Sequence, residues 1–180
     1  SGALMAIDAG RTFTPINIAV LTVSDTRTAV NDTSGDILAA RVIDAGHRLV
    51  TRAIVRDDAP LLAAQLEEWI DDPAIDAVVS TGGTGLTGRD ITPEALGMLR
   101  DARPIPGFGE LFRWLSFQSI GTSTIQSRAC AVVARGTYIF ALPGSNGAIK
   151  DGWDGILAQQ LDSRNRPCNF VELMPRLRES

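Results

Sequence analysis

Histidine is nearly absent from this chain of 180 residues, with His47 the single example. That scarcity excludes a two-histidine metal site and most nucleophile–histidine pairs. His47 follows Asp44-Ala-Gly, where a helix ends, and reads as a helix-end or turn residue. Two cysteines, Cys130 and Cys168, are too few for a disulfide framework or a four-thiolate zinc site. No run approaches the roughly 18 apolar residues that a membrane-spanning helix needs. No basic-then-apolar leader stands at the N-terminus, so the expected compartment is the cytoplasm. Positive charge is also short: 17 Lys and Arg against 21 Asp and Glu give a net charge of −4. That balance argues against a protein that wraps nucleic acid through its phosphates.

Hydrophobic residues make up 44% of the chain, enough for a core without staples at the length of one domain. Strand-like runs are Ile16–Val23, Leu49–Val55, Ile75–Val79, Ala129–Val133 and Tyr138–Leu142. Helical patterns fall between them. One carries Ile37, Leu38, Val42 and Ile43 after the capping stretch Asn31–Asp36. A second opens at Pro60 and carries Leu61, Leu62, Leu66, Trp69 and Ile70, with Asp58 placed as its cap. Others run from Pro93 to Leu99, Glu110 to Phe117 and Ala148 to Leu161, and Pro104–Gly109 reads as a turn. This alternation predicts a three-layer α/β/α fold with a mostly parallel sheet. Arg135-Gly136 predicts an antiparallel pair at one edge. The expected organisation is a flexible extension over 1–14, a domain over 15–170 and a tail over 171–180. Ser1 to Leu4, ahead of Met5, look like an expression remnant.

Open α/β sheets bind ligands beyond the carboxyl ends of their strands. Four such ends carry polar or glycine-rich loops: Ser24-Asp25, Arg56-Asp57-Asp58, Thr81 to Asp90, and Pro143-Gly144-Ser145. Thr81-Gly82-Gly83-Thr84-Gly85-Leu-Thr87-Gly88-Arg89-Asp90 is the most informative. Its glycines let backbone N–H groups approach an oxyanion, its threonines add hydroxyls, and Arg89 can pair with phosphate. The loop is neither a P-loop nor a convincing dinucleotide fingerprint, and a purely structural glycine turn fits the spacing almost as well. Asp57 and Asp90 each fit a capping or solvated acid. Together beside a phosphate they can hold Mg²⁺.

Ser80-Thr-Gly-Gly-Thr-Gly-Leu-Thr-Gly-Arg-Asp-Ile-Thr-Pro-Glu94 followed by Pro106-Gly-Phe-Gly-Glu110 resembles the signature of the molybdopterin-binding, MoaB/MogA-type proteins of molybdenum cofactor biosynthesis. Val23-Ser-Asp25, Asp32-Thr-Ser-Gly35, Gln126-Ser-Arg128 and Leu142-Pro-Gly-Ser145 extend the likeness, and Gln160 to Phe170 is similar to the MoaB branch in particular. The resemblance implies a trimeric or hexameric homo-oligomer. In the catalytic branch it implies adenylylation of molybdopterin by Mg-ATP, with a metal-insertion protein acting afterwards. It places the essential, magnesium-holding acids on Asp57 and Asp90 and the nucleotide loop on Thr81, Gly82, Gly83, Thr84, Gly85 and Arg89. Pterin contacts fall on Ser24, Asp25, Ser127, Arg128, Pro143, Gly144 and Ser145. Many relatives carry a lysine where this chain has Gly147, and Lys150 is the nearest replacement. A pterin carrier without ATP chemistry, or an unrelated nucleotide-binding module, are the competing readings.

Overall fold

An apolar run with no polar alternation must be covered on both faces. In the computed structural model, which describes residues 7–179, that run is β1 (Asn17–Val23), an interior strand of the sheet. The other strands are β2 (Arg48–Val55), β3 (Ala77–Thr81), β4 (Ala102–Pro104), β5 (Cys130–Ala134) and β6 (Thr137–Leu142). They form one six-stranded sheet in the order β2-β1-β3-β6-β5-β4. Strands β2, β1, β3 and β6 run parallel, and β5 is antiparallel to both its neighbours. Arg135 (φ 48°) and Gly136 (φ 91°) make the tight turn between β5 and β6. The expected antiparallel pair therefore exists, but one strand inside the edge. The short β4, ending at Pro104, lies outside it.

Helices α1 (Thr33–Asp44), α4 (Pro106–Ile120) and a helical run over 146–160 cover one face through Leu38, Val42, Phe112, Ile149 and Trp153. That run is α5 (Asn146–Ile149), a π-helical stretch Lys150–Leu157, and α6 (Ala158–Gln160). Helices α2 (Ala59–Asp71) and α3 (Thr92–Gly97) cover the other face through Leu62, Leu66, Trp69 and Leu96. The result is the expected three-layer fold. Asp32 and Asp58 cap α1 and α2 by accepting the amides of Gly35 and Leu61. Ile43 and Leu61, placed by spacing on apolar stripes, are exposed.

One expectation changes. Pro106 to Gly109 is the first turn of α4 and not a separate turn, because proline at the start of a helix costs no hydrogen bond. Gly109 is needed there because a Cβ would collide with the carbonyl of Ala129, the residue before β5. His47 is the expected helix-end residue, its amide donating to the Val42 carbonyl of α1 at 3.2 Å just after Gly46; it is also buried, and its Nδ1 accepts the Ile16 amide at 3.2 Å. The supposed limit at residue 170 falls at the start of α7 (Phe170–Leu173), where Val171 is buried in the core and the Tyr138 hydroxyl donates to the Phe170 carbonyl at 2.8 Å. The proposed extension's first six residues lie outside the described residues. From Ile7, which bridges to Asn165, the chain runs along the C-terminal segment, and the Thr14 amide donates to Ser163 Oγ at 2.8 Å.

Candidate active site

Parallel strands β1, β2, β3 and β6 bring their carboxyl ends to one rim, so the loops singled out above meet there. The glycine bend is fixed by several bonds. Gly82 N–H donates to the Leu142 carbonyl at 2.9 Å, and the Thr81 hydroxyl donates to the Pro143 carbonyl at 3.1 Å. Thr92 closes the other side: its hydroxyl donates to the Gly82 carbonyl (2.8 Å) and its amide to the Gly83 carbonyl (2.9 Å). Gly82 has φ 103°, and any Cβ there would collide with the Val23 carbonyl. Only glycine lets β1 and β3 finish this close together.

This arrangement consumes groups that the sequence reading offered to a ligand. The Gly82 amide and the Thr81 hydroxyl are bonded within the protein, and Thr84 is buried. The Thr87 hydroxyl donates to Asp90 Oδ2 at 2.8 Å. The amides of Gly83 and of buried Thr84 are among the loop's donors that have no partner among the described residues.

Asp57 and Asp90 stand on the same rim, close enough for their charges to interact. Burial pushes the Asp57 carboxyl above its ordinary value, and the negative charge of Asp90 pushes it further. Asp57 is also locked to Asp25. The Asp25 amide donates to Asp57 Oδ2 (3.1 Å), and the Asp57 amide donates to Asp25 Oδ1 (3.0 Å). This reciprocal pair ties the tip after β1 to the tip after β2. Asp90 is held by its own loop. Partial burial pushes its carboxyl up, but the Thr87 hydroxyl and amide, the Gly85 amide and the charge of Arg128 outweigh that and hold it below the ordinary aspartate value.

Both expected arginines are already paired within the protein. Arg89, exposed on the loop, forms an ion pair with Asp25. Arg128, expected against the pterin, staples the glycine loop. Its Nε donates to the Gly85 carbonyl (2.6 Å), its Nη2 to the Asp90 carbonyl (2.7 Å), and its own amide to the Thr84 carbonyl (2.7 Å). Glu94 of α3 pairs with the same guanidinium. Long-range pairing of this kind leaves no trace in residue spacing.

Two cavities flank the Pro143–Ser145 loop. One of about 100 Å³ is lined by Ser24, Thr81, Gly82 and Gly144 together with Arg27, Asp32 and Ser34. Ser24 Oγ accepts the amides of Thr26 (3.2 Å) and Arg27 (3.1 Å), which shapes the turn after β1. Ser34 Oγ donates to the Gly144 carbonyl at 2.8 Å. Asp32 accepts from the Thr22 hydroxyl (2.7 Å) and Arg52 (3.2 Å) besides capping α1. The other cavity, of about 180 Å³, holds Ser127, Pro143 and Ser145 between α4, the 3₁₀ turn Gly121–Gln126 and the start of the helical run. Asp151 also lines it and was not singled out from the sequence. Gly147 lines it too, and a Cβ there would meet nothing within 4 Å. Lys150 is exposed and lines neither cavity, so it does not take the place of the missing lysine side chain there.

Among the described residues no group of three or more His, Cys, Asp or Glu forms a cage for a metal. Two neighbouring carboxylates fit magnesium, which keeps waters and takes phosphate oxygens, better than an ion that needs an all-protein cage. No described helix is long and apolar enough to cross a membrane.

A family model described as "Probable molybdopterin binding domain" matches residues 19–163, which include every candidate site residue. The chain is 52% identical over 158 residues to Molybdenum cofactor biosynthesis protein B of Escherichia coli K12, covering 88% of this chain and 92% of that protein. A crystal structure of Molybdenum cofactor biosynthesis protein B superposes with a TM-score of 0.83 at 32% identity, covering 94% of this chain and 100% of that one. The tungsten cofactor synthesizing protein MoaB from Pyrococcus furiosus gives 0.74 at 33% identity, covering 92% and 98%.

Proposed function

This chain belongs to the molybdopterin-binding family of molybdenum cofactor biosynthesis proteins, and from that premise we propose that it adenylylates molybdopterin with Mg-ATP. The observation that carries the proposal is the meeting of Asp57 and Asp90, from separate strand tips, beside a bend with free amides. An oxygen of the molybdopterin phosphate attacks the α-phosphorus of ATP. The bond from that phosphorus to the bridging oxygen breaks, and pyrophosphate leaves with the electron pair. The nucleophile's second proton leaves near pH 6, so no protein base is required, consistent with a site that lacks histidine.

Asp57 and Asp90 are the residues that would hold magnesium. When bound, the ion neutralises phosphate charge as the transferred group passes between oxygens. The chain's own groups do the rest. The Gly83 and Thr84 amides donate to phosphate oxygens. Arg89 exchanges its Asp25 partner for phosphate. The Asp25–Asp57 bonds hold the tip after β2 in place, and Arg128 holds the glycine loop. The cavity of about 180 Å³ takes the pterin, where Ser127 and Ser145 line it. A homo-oligomer is part of the same reading, supported by the exposed stripe Leu111, Trp114, Phe117 and Ile120 along α4; light scattering would report a trimer or hexamer, and a monomer would remove it.

One observation favours the carrier reading: both Arg89 and Arg128 are already paired with carboxylates. The deciding experiment mixes protein, Mg-ATP and molybdopterin and follows pyrophosphate. Adenylyl transfer requires turnover that depends on all three and disappears in Asp90→Asn. Pterin binding with no pyrophosphate leaves the carrier.

A further inference from the structure

Resting on the pterin reading above, we propose that Asp151 selects the ligand's ring by pairing with a 2-amino-4-oxopyrimidine edge in the cavity behind Pro143. A pocket of about 180 Å³ is smaller than a drug-sized site and suits a flat head group in place of a whole nucleotide. Phe112, Ile120 and Ala148 supply apolar walls. Its polar groups can be sorted by what they have left to offer. Ser127 Oγ accepts the Ala129 amide (3.2 Å) and Ser145 Oγ accepts the Ala148 amide (3.1 Å), so each hydroxyl keeps its proton to donate. The hydroxyls of Ser119 and Thr124 already donate to the carbonyls of Ser116 and Arg113, both at 3.1 Å. Ser116 is buried, and its hydroxyl donates to Asp151 Oδ2 at 2.9 Å.

That leaves Asp151 Oδ1 as an acceptor with no protein donor among the described residues, in a cavity that no Lys or Arg lines. A carboxylate set among hydroxyls and apolar walls calls for a ligand with N–H donors. A ring N–H beside an exocyclic amino group supplies two, while acceptors elsewhere on the ring meet Ser127 and Ser145. Asp151 stands where it does because the helical run widens into π geometry over Lys150–Leu157, a form often found at functional sites. Glycines let that widened run press close. A Cβ on Gly152 would collide with Leu142, and one on Gly155 would come within 2.9 Å of Leu115.

The same edge occurs in pterins and in guanine, so the test carries both. Binding of 6-hydroxymethylpterin, of 6-hydroxymethyllumazine (oxygen in place of the amino group) and of GMP is measured calorimetrically without ATP. The wild type is expected to prefer the pterin to the lumazine by about tenfold or more, since an unpaired buried acceptor is costly. Asp151→Asn, checked by its melting temperature, is expected to erase that preference. Ser116→Ala, which leaves the carboxylate in place, is expected to retain it. A preference for GMP over the pterin keeps the edge recognition and assigns it to a guanine nucleotide. Equal binding of pterin and lumazine by the wild type overturns the proposal and needs no variant to do so; so does an Asp151→Asn protein that still discriminates. If pyrophosphate turnover is absent while the preference persists, only the adenylyl-transfer reading fails. Failure of the wild type to bind any pterin or GMP overturns both.

Discussion

The tip after β2 and the loop after β3 each bring one aspartate to the same mouth, yet the two carboxylates sit under opposite forces. Asp90 is gripped by the Thr87 hydroxyl and amide and lies below its ordinary pKa, so its charge helps hold the loop. Asp57 is raised by burial and by Asp90 itself, so its charge works against the fold. Burial that works against a charge is a pattern enriched at functional sites, whereas the grip on Asp90 has a structural use of its own.

The largest expected effect removes the comparison's common term. Asp57→Asn and Asp90→Asn should each lower adenylyl transfer at least about a hundredfold, read as pyrophosphate release. Arg128→Ala comes next. It leaves the carbonyls of Gly85 and Asp90 unpaired and should cost about 2 kcal/mol, a fall of several degrees in melting temperature. The two aspartates then part company. Asp90→Asn should cost about 1 kcal/mol, or roughly 2–4 °C, while Asp57→Asn should hold or slightly raise the melting temperature.

The smallest effect is in pH. Asp90 has a depressed folded pKa, so its contribution is present above the ordinary aspartate range, near pH 4, and is lost as pH falls through its folded value. Asp57 has a raised folded pKa. Its protonated form suits the fold, and the penalty appears as pH rises through that value. Melting curves from pH 3 to 7 should therefore show both variants converging on the wild type in acid and separating in opposite directions toward neutrality.

Much of the architecture was legible because it rests on local pattern. Ile18–Leu21 and Tyr138–Leu142 are apolar without interruption, and Arg135-Gly136 carries a tight-turn signal. That the loops carrying Asp57 and Asp90 meet was legible for a topological reason: parallel strands oblige loops far apart in sequence to share a rim. What spacing missed depends on contacts across the chain. Arg128 reads as an anion-binding residue until Glu94 and the loop carbonyls occupy it. Thr81 and Thr87 look like ligand donors until their protons are placed on Pro143 and Asp90. Pro106-Gly-Phe-Gly109 has turn composition, but tight packing against β5 makes its second glycine a helix residue. Asp151 carried no signal of its own, since the π-helical run that places it depends on glycines pressed against Leu142 and Leu115.

Titration of the Asp57 carboxyl carbon by NMR, in the wild type and in Asp90→Asn, tests most directly whether these two acids share one mouth. If they do, removing the Asp90 charge moves the Asp57 midpoint down while burial keeps it above the ordinary aspartate value. A midpoint that does not move would separate the two carboxylates and contradict the shared site.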